Sequence, residues 1–157
     1  MEFFEVVDKR FSARSYLSKN VDEKLLEKIL KTLSKAPSAG NLKAYRVYVI
    51  KDQETKDKLT EAAFFQQFIS EAPLVLVFCA LPKISSKRYG KRGAELYCIQ
   101  DATIAASYAQ LAATALGLAT CWVGAFDDDR VKKILNLQEE IPIAIMPLGY
   151  TNEKKIK

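Results

Sequence analysis

Residues 94–116, AELYCIQDATIAASYAQLAATAL, read as one helix that is apolar on nearly every face. At 1.5 Å per residue it is roughly 35 Å long, and a helix without a polar face needs cover on all sides. A chain of 157 residues has little material for that. The helix must therefore run through the middle of the fold, with part of it covered by a second copy of the chain. Thr103, Ser107, Gln110 and Thr114 lie within it, and Gln100 and Asp101 precede its alanine-rich stretch. These polar groups mark a helix buried in protein rather than a membrane span.

The flanking sequence supplies shorter elements. Phe3, Phe4, Val6 and Val7 give a brief amphipathic helix, and residues 10–17 read as extended. Asn20 and Glu23 have the spacing of a capping box. Leu25, Leu26, Ile29, Leu30 and Leu33 follow at helical period, up to a stop at Ala36-Pro37. Residues 37–41, PSAGN, are turn-forming. Residues 45–51 predict a strand, and 54–71 a helix interrupted near Phe64-Phe65 and closed by Pro73. The unbroken apolar run 74–81 predicts a strand covered on both faces. Residues 82–92, basic and interspersed with Ser and Gly, predict a loop. Residues 119–125 predict a strand, Asp127 caps a helix through Leu135, and 141–148 form a last strand with Pro142 and Pro147 near its ends. The succession gives a mixed sheet packed with helices in one domain, residues 1–157.

The chain contains no histidine, which excludes Ser-His and Cys-His nucleophiles, imidazole acid–base chemistry and the usual zinc sites. Cys79, Cys98 and Cys121 are widely spaced in apolar surroundings. Neither a metal knuckle nor a disulfide framework follows from them, and three free thiols fit a reducing compartment. The first ten residues lack the layout of a signal peptide, so a cytoplasmic location is expected. Net charge is +5, with basic residues dispersed along the chain; this admits anionic partners without providing an arm for nucleic acid.

Three segments have the composition of a site. Arg10, Ser12 and Arg14 alternate along an extended stretch, so their side chains share one face. Two guanidiniums and a hydroxyl there form either a phosphate cradle or a solvated basic edge. Ser38 and Asn41, in the Gly/Pro turn, either meet a flat heteroaromatic ring or bond their own backbone. Cys121-Trp122-Val123-Gly124-Ala125 puts small residues beside a tryptophan at a strand end, which either admits a ligand to the backbone or is ordinary core. Asp127-Asp128-Asp129 stands where a helix start accounts for it. Asp101 reads as a paired structural carboxylate.

In order along the chain, KRFSARSY, APSAGNLKAYRVYVI, EAPLVLVFCA, ELYCIQDATIAA, GLATCWVGAFDDDRV and IAIMPLGY resemble the FMN-dependent nitroreductase family in its minimal, short-chain form, from about Glu2 to Tyr150. The resemblance implies an α+β fold: a central mixed, largely antiparallel sheet flanked by helices, in an intertwined homodimer with FMN at the subunit interface. By the same resemblance Arg10 and Ser12 hold the phosphate and ribityl end of FMN. Arg14 lies toward N1 and O2, where positive charge favours the reduced flavin. Ser38 and Asn41 reach the ring from the neighbouring subunit. The backbone of Val123 and Gly124 faces the flavin, with the Gly124 N–H aimed at N5, and Trp122 walls the pocket.

Three positions depart from the family pattern. Phe11 stands in the cofactor-binding segment where a basic residue or His is frequent. Asn41-Leu42-Lys43-Ala44-Tyr45 replaces Asn-x-Gln-Pro-Trp, and Lys154 or Lys155 of a shortened tail takes the place of a basic residue at the phosphate.

The implied activity is that of an NAD(P)H-dependent FMN oxidoreductase. NADH or NADPH passes hydride to flavin N5 and leaves, and a nitroaromatic or quinone then takes its place. In this scheme Arg88, Tyr89 and Lys91 of segment 82–92 cover the site and favour anionic nucleotides. The alternative within the family is a non-catalytic FMN-binding electron carrier. A small basic nucleic-acid module is the reading from another class; the aromatics lie in apolar runs rather than alternating with Arg and Lys, which opposes it.

Overall fold

The computed structural model describes residues 1–155. β1 (Tyr45–Ile50), β2 (Leu74–Ala80), β3 (Ala119–Thr120) and β4 (Ile141–Gly149) form one sheet in the order β1-β2-β4-β3. All strand pairs are antiparallel, and the mixed character expected of the sheet is confined to one parallel bridge, Ser12 to Thr120. Side chains alternate across a strand, and β2 shows the consequence. Leu74, Leu76 and Phe78 join one core, while Val75, Val77 and Cys79 join another on the opposite face. Helices cover both faces, as an uninterrupted apolar strand requires.

The first core is closed by α2 (Glu23–Leu33) and α6 (Cys98–Ala115), through Leu26, Ile29 and Leu33 on one helix and Ala105, Ala106, Ala109 and Ala113 on the other. The second is closed by α3 (Gln53–Ala62), α4 (Phe68–Glu71) and α7 (Asp128–Ile134), through Leu59, Ile69 and Val131. The alanines let α6 lie close to the sheet. α1 (Phe3–Lys9) rests on α6 from outside. One face of α6 is left uncovered in the single chain: Gln100, Ser107 and Tyr108 are exposed, and Thr103, Ile104 and Leu111 are half-exposed. Phe3, Phe4 and Val7 of α1 extend that exposed apolar surface.

Three local expectations are corrected. Asp22, not Asn20, caps α2, its carboxylate accepting from the Lys24 N–H at 2.8 Å. Segment 82–92 is helical, α5 (Pro82–Arg92), with a break at Gly90, and runs into a π-helical turn at Gly93–Tyr97. Pro82 at its first turn is preset for a helix, and buried Ser85 seats against Gly93, where a methyl group would stand 2.6 Å from the Ser85 carbonyl. That seat is a tertiary contact, invisible to local composition.

The strand expected over 119–125 stops after Thr120, and Val123 makes a lone bridge to Ile145. The register is continuous between them and sets Cys121 opposite Pro147, which has no N–H to donate. Asp101 is the paired structural carboxylate expected, and its partners are two backbone amides, those of Ala39 and Ala44.

Candidate functional site

Arg10, Ser12 and Arg14 share a face, as their spacing requires. Ser12 bridges to Thr120, and the Ala13 N–H donates to the Thr120 carbonyl at 3.0 Å. Ala13 and Phe11 turn inward to a small cluster with Tyr16, Ala72, Ala119 and Phe68. Phe11 is thus a packing residue that fixes which way its neighbours point. Arg10 and Ser12 are half-buried and Arg14 is exposed. The bridge lays this face beside Thr120 and Cys121. Burial pushes the Cys121 thiol up, while Arg14, Ser12 and Arg10 at close range pull it back. Burial also holds the Tyr16 phenol protonated, and nearby Cys121 and Glu153 add to the effect.

The Val123 N–H and carbonyl both pair with Ile145, at 2.9 and 3.0 Å. Val123 is buried, and both its polar backbone groups are engaged by the sheet. Gly124, next along, is exposed, and a methyl group on it would meet only Trp122, its indole Nε1 at 3.5 Å. No protein acceptor among the described residues takes the Gly124 N–H. A ring could therefore approach the backbone closely, with Trp122 half-buried beside it.

Glu153 belongs to this cluster and carries no sequence signal. Its carboxylate accepts the backbone N–H of Arg14 at 2.6 Å and of Ser15 at 3.1 Å. The Leu17 N–H bonds the Tyr150 carbonyl, so the tail lies along the segment it clamps. The Lys155 ammonium donates to the Asp8 carbonyl at the end of α1, two residues before Arg10. Both Lys154 and Lys155 are exposed, and Lys155 is the one held near Arg10, by its bond to Asp8.

Ser38 and Asn41 form a second cluster. The turn 39–41 is 3₁₀, with Gly40, Asn41 and Lys43 all in the left-handed region at φ of 58°, 56° and 49°. The Ser38 hydroxyl accepts from the Lys43 N–H at 3.0 Å, and buried Asp101 binds the turn at both ends, to Ala39 at 3.0 Å and Ala44 at 3.4 Å. The first cluster is tied to α6 at Gln110, whose amide reaches the Thr120 hydroxyl at 3.3 Å. Nine residues of helix, about 13 Å of rise, separate Asp101 from Gln110. No hydrogen bond among the described residues joins the clusters within one chain. A cavity of about 560 Å³, lined in part by Ser38, Tyr97, Asp101, Thr103 and Ile104, opens beside the second cluster onto the uncovered face of α6.

The donor set suits a ligand with a phosphate at one end and a flat ring at the other. Guanidiniums and a hydroxyl fit the phosphate, and a bare glycine flanked by an indole fits the ring. FMN has both parts.

Comparison with known proteins agrees. A model described as the nitroreductase family matches residues 7–81 and 63–150. A protein of Archaeoglobus fulgidus, named putative NADH dehydrogenase/NAD(P)H nitroreductase, is 32% identical over 159 residues, covering 98% of this chain and 88% of its own length. Among solved structures, NfrA2 of B. megaterium superposes with a TM-score of 0.90 at 27% identity, covering 100% of this chain and 70% of that one. An FMN-dependent nitroreductase of Clostridium difficile gives 0.84 at 29% identity, covering 97% and 89%.

Proposed function

The chain belongs to the nitroreductase family, and from that premise we propose that residues 1–157 act as one FMN-loaded domain of a homodimer that oxidises NADH or NADPH and reduces a small acceptor. It is an NAD(P)H-dependent oxidoreductase with FMN as its cofactor. The observation that supports the site is the bridge from Ser12 to Thr120, which brings the Arg10–Ser12–Arg14 segment alongside the chain four residues before exposed Gly124. In this reading Arg10 and Ser12 hold the phosphate and ribityl end, Lys155 adds charge there, and Arg14 favours negative charge at the pyrimidine edge. Gly124 presents its N–H, and Trp122 closes the side. Phe11 and Val123 fix the two segments from within the packing. Ser38 and Asn41 come from the partner, since in one chain they stand apart from the first cluster.

When bound, FMN would supply the redox chemistry, two-electron transfer between a nicotinamide donor and the acceptor. The protein contributes orientation, charge and exclusion of water. That division suits a chain without histidine. Donor and acceptor use the same open face in turn, a ping-pong order, and the acceptor is a quinone or nitroaromatic.

The uncovered apolar face of α6 and α1 supports the homodimer. No helix among the described residues is long and apolar enough to cross a membrane. The three cysteines are free and buried, which supports a cytoplasmic place.

The test is an absorption spectrum of purified protein, repeated after added FMN and after anaerobic NADH or NADPH, followed by turnover with menadione. Bound flavin bleached by a donor and reoxidised by menadione is expected. Bound flavin that neither donor bleaches would leave the electron-carrier alternative, and a protein unable to take up FMN would overturn the site.

A further inference from the structure

The cations of α5 are not used by the site described above. The helix carries Lys83, Lys87, Arg88, Lys91 and Arg92 and no carboxylate. Lys83 pairs with Glu139 and Lys91 with Glu95, while Arg92 donates to the Tyr97 hydroxyl at 3.1 Å. Lys87 and Arg88 have no carboxylate within ion-pair distance among the described residues.

Arg88 is nevertheless held in place, by rings instead of acids. Its guanidinium lies 5.4 Å from the centroid of the Tyr89 ring, Tyr89 meets Tyr97 edge-on at 5.2 Å, and the Arg92 guanidinium lies 5.5 Å from the Tyr97 centroid. Such stacking positions a guanidinium while leaving its N–H donors for an anion. The chain reverses at Gly90, whose φ of 57° and ψ of −141° suit glycine. The result is a closed hairpin of α5 and the π turn, with Gly93 against Ser85.

This hairpin sits on the Gly40 turn. A methyl group on Gly40 would stand 2.6 Å from the Tyr89 hydroxyl and 2.9 Å from Arg88 Nη1. One cation without an acidic partner, oriented by a ladder of rings, therefore overhangs the turn that carries Ser38 and Asn41.

We propose that Arg88 and Tyr89, seated on Gly40, form the phosphate-recognising edge of the electron-donor site, so that the donor is bound through the phosphates of its dinucleotide. The proposal rests on the reading of turn 38–41 as the partner-supplied wall of the flavin site. The phosphate of FMN is accounted for by the Arg10 cluster, and an uncharged quinone or nitroaromatic has no group that needs a guanidinium. The donor has a pyrophosphate, and NADPH a further phosphate. Of the three residues expected to favour anionic nucleotides, Arg88 and Tyr89 meet the turn, whereas Lys91 is turned to Glu95.

The experiment uses the FMN-loaded dimer and the variants Arg88→Ala, Arg88→Lys and Tyr89→Phe, with Lys83→Ala as control. Calorimetric titration of the oxidised holoprotein with NAD⁺ and NADP⁺ gives dinucleotide affinity without turnover. Stopped-flow reduction by NMNH, NADH and NADPH gives the half-saturating concentration and the limiting rate. Arg88→Ala is expected to weaken dinucleotide binding ten-fold or more, flatten its salt dependence and leave the limiting rate and FMN affinity as they were, with partial rescue by Arg88→Lys. Equal losses for NADH and NADPH with little for NMNH assign the contact to the pyrophosphate; a loss confined to NADPH assigns it to the extra phosphate. Unchanged NAD⁺ and NADP⁺ binding would overturn the proposal, as would loss of FMN in Arg88→Ala. Wild-type flavin that no donor reduces would instead overturn the oxidoreductase reading.

Discussion

Replacing Asp101 by Ala should both destabilise the chain and loosen its cofactor site. Asp101 is 2% exposed, and its carboxylate holds the 39–44 turn to α6. The turn needs holding, because Asn41 and Lys43 sit in the left-handed region, at roughly 1–2 kcal/mol for Lys43 and less for Asn41. Of the two bonds lost in Asp101→Ala, the 3.0 Å bond to Ala39 is a full charge-assisted bond and the 3.4 Å bond to Ala44 a weak one. Ala44 is fully buried, so its N–H is left without water, whereas Ala39 is half-exposed. A net loss of about 3 kcal/mol follows, or about 10 °C in Tm for a chain of this size. Asp101→Asn keeps the shape and one acceptor but turns an NH₂ toward the other donor, so it should fall between.

Urea unfolding of the three apo proteins at one chain concentration measures the first effect, and fluorescence titration with FMN the second, with at least ten-fold weaker binding expected for Asp101→Ala. A variant within about 0.5 kcal/mol of wild type, with unaltered FMN affinity, would show that the strained turn supports itself; this threshold sits at the lower end of a single bond's contribution of roughly 0.5–1.5 kcal/mol.

Other changes test separate parts of the structure. Burial, with Glu140 adding to it, pushes the Cys79 thiol from 9.0 up to about 12. The native state therefore keeps a proton that the unfolded chain releases above pH 9, and the associated stability, full below pH 9, is lost as pH rises toward 12; the loss should be about 2 kcal/mol by pH 10.5. Urea unfolding between pH 8.5 and 10.5 should show a shallower decline in Cys79→Ala, and equal slopes would refute the assignment. Phe64 and Phe65 are consecutive left-handed residues, each 66% exposed. Phe64→Gly should stabilise by about 0.5–1 kcal/mol, relief of strain exceeding the added chain entropy; a lower urea midpoint would mean the ring has a packing role. Leu111→Glu, in the groove of about 330 Å³ shared with Phe3 and Tyr108, should give monomers in sedimentation analysis together with loss of FMN; an FMN-loaded monomer would contradict the two-chain site.

The parts of the fold that sequence revealed are those decided by local period. The unbroken run of β2, the alanine-rich α6 and the Asp127 cap of α7 each depend on neighbours a few residues away. The parts it missed depend on remote partners. β3 ends early because Pro147, on another strand, cannot donate opposite Cys121. Segment 82–92 becomes a helix because Ser85 finds Gly93 across a hairpin. The site divides in the same way: alternation along an extended segment put Arg10, Ser12 and Arg14 on one face, but nothing local announces that Glu153 clamps Arg14 or that Arg88 reaches Gly40.

The arrangement also explains why so small a chain would use a site split between two copies. α6 fixes both clusters, through Asp101 near its start and Gln110 beyond its middle, and its alanines are committed to packing against the sheet and α2. The only unoccupied side of the helix among the described residues is the one bearing Thr103, Ile104, Tyr108 and Leu111. In the homodimer proposed above, a second copy laid on that face buries the exposed apolar surface, and its 38–41 turn is the one assigned to the first chain's Arg10 cluster. A ligand that touches both chains must favour the dimer by the same factor that the dimer favours the ligand. Cofactor retention and subunit association are then one equilibrium, and dilution below the dimer's dissociation constant should release FMN.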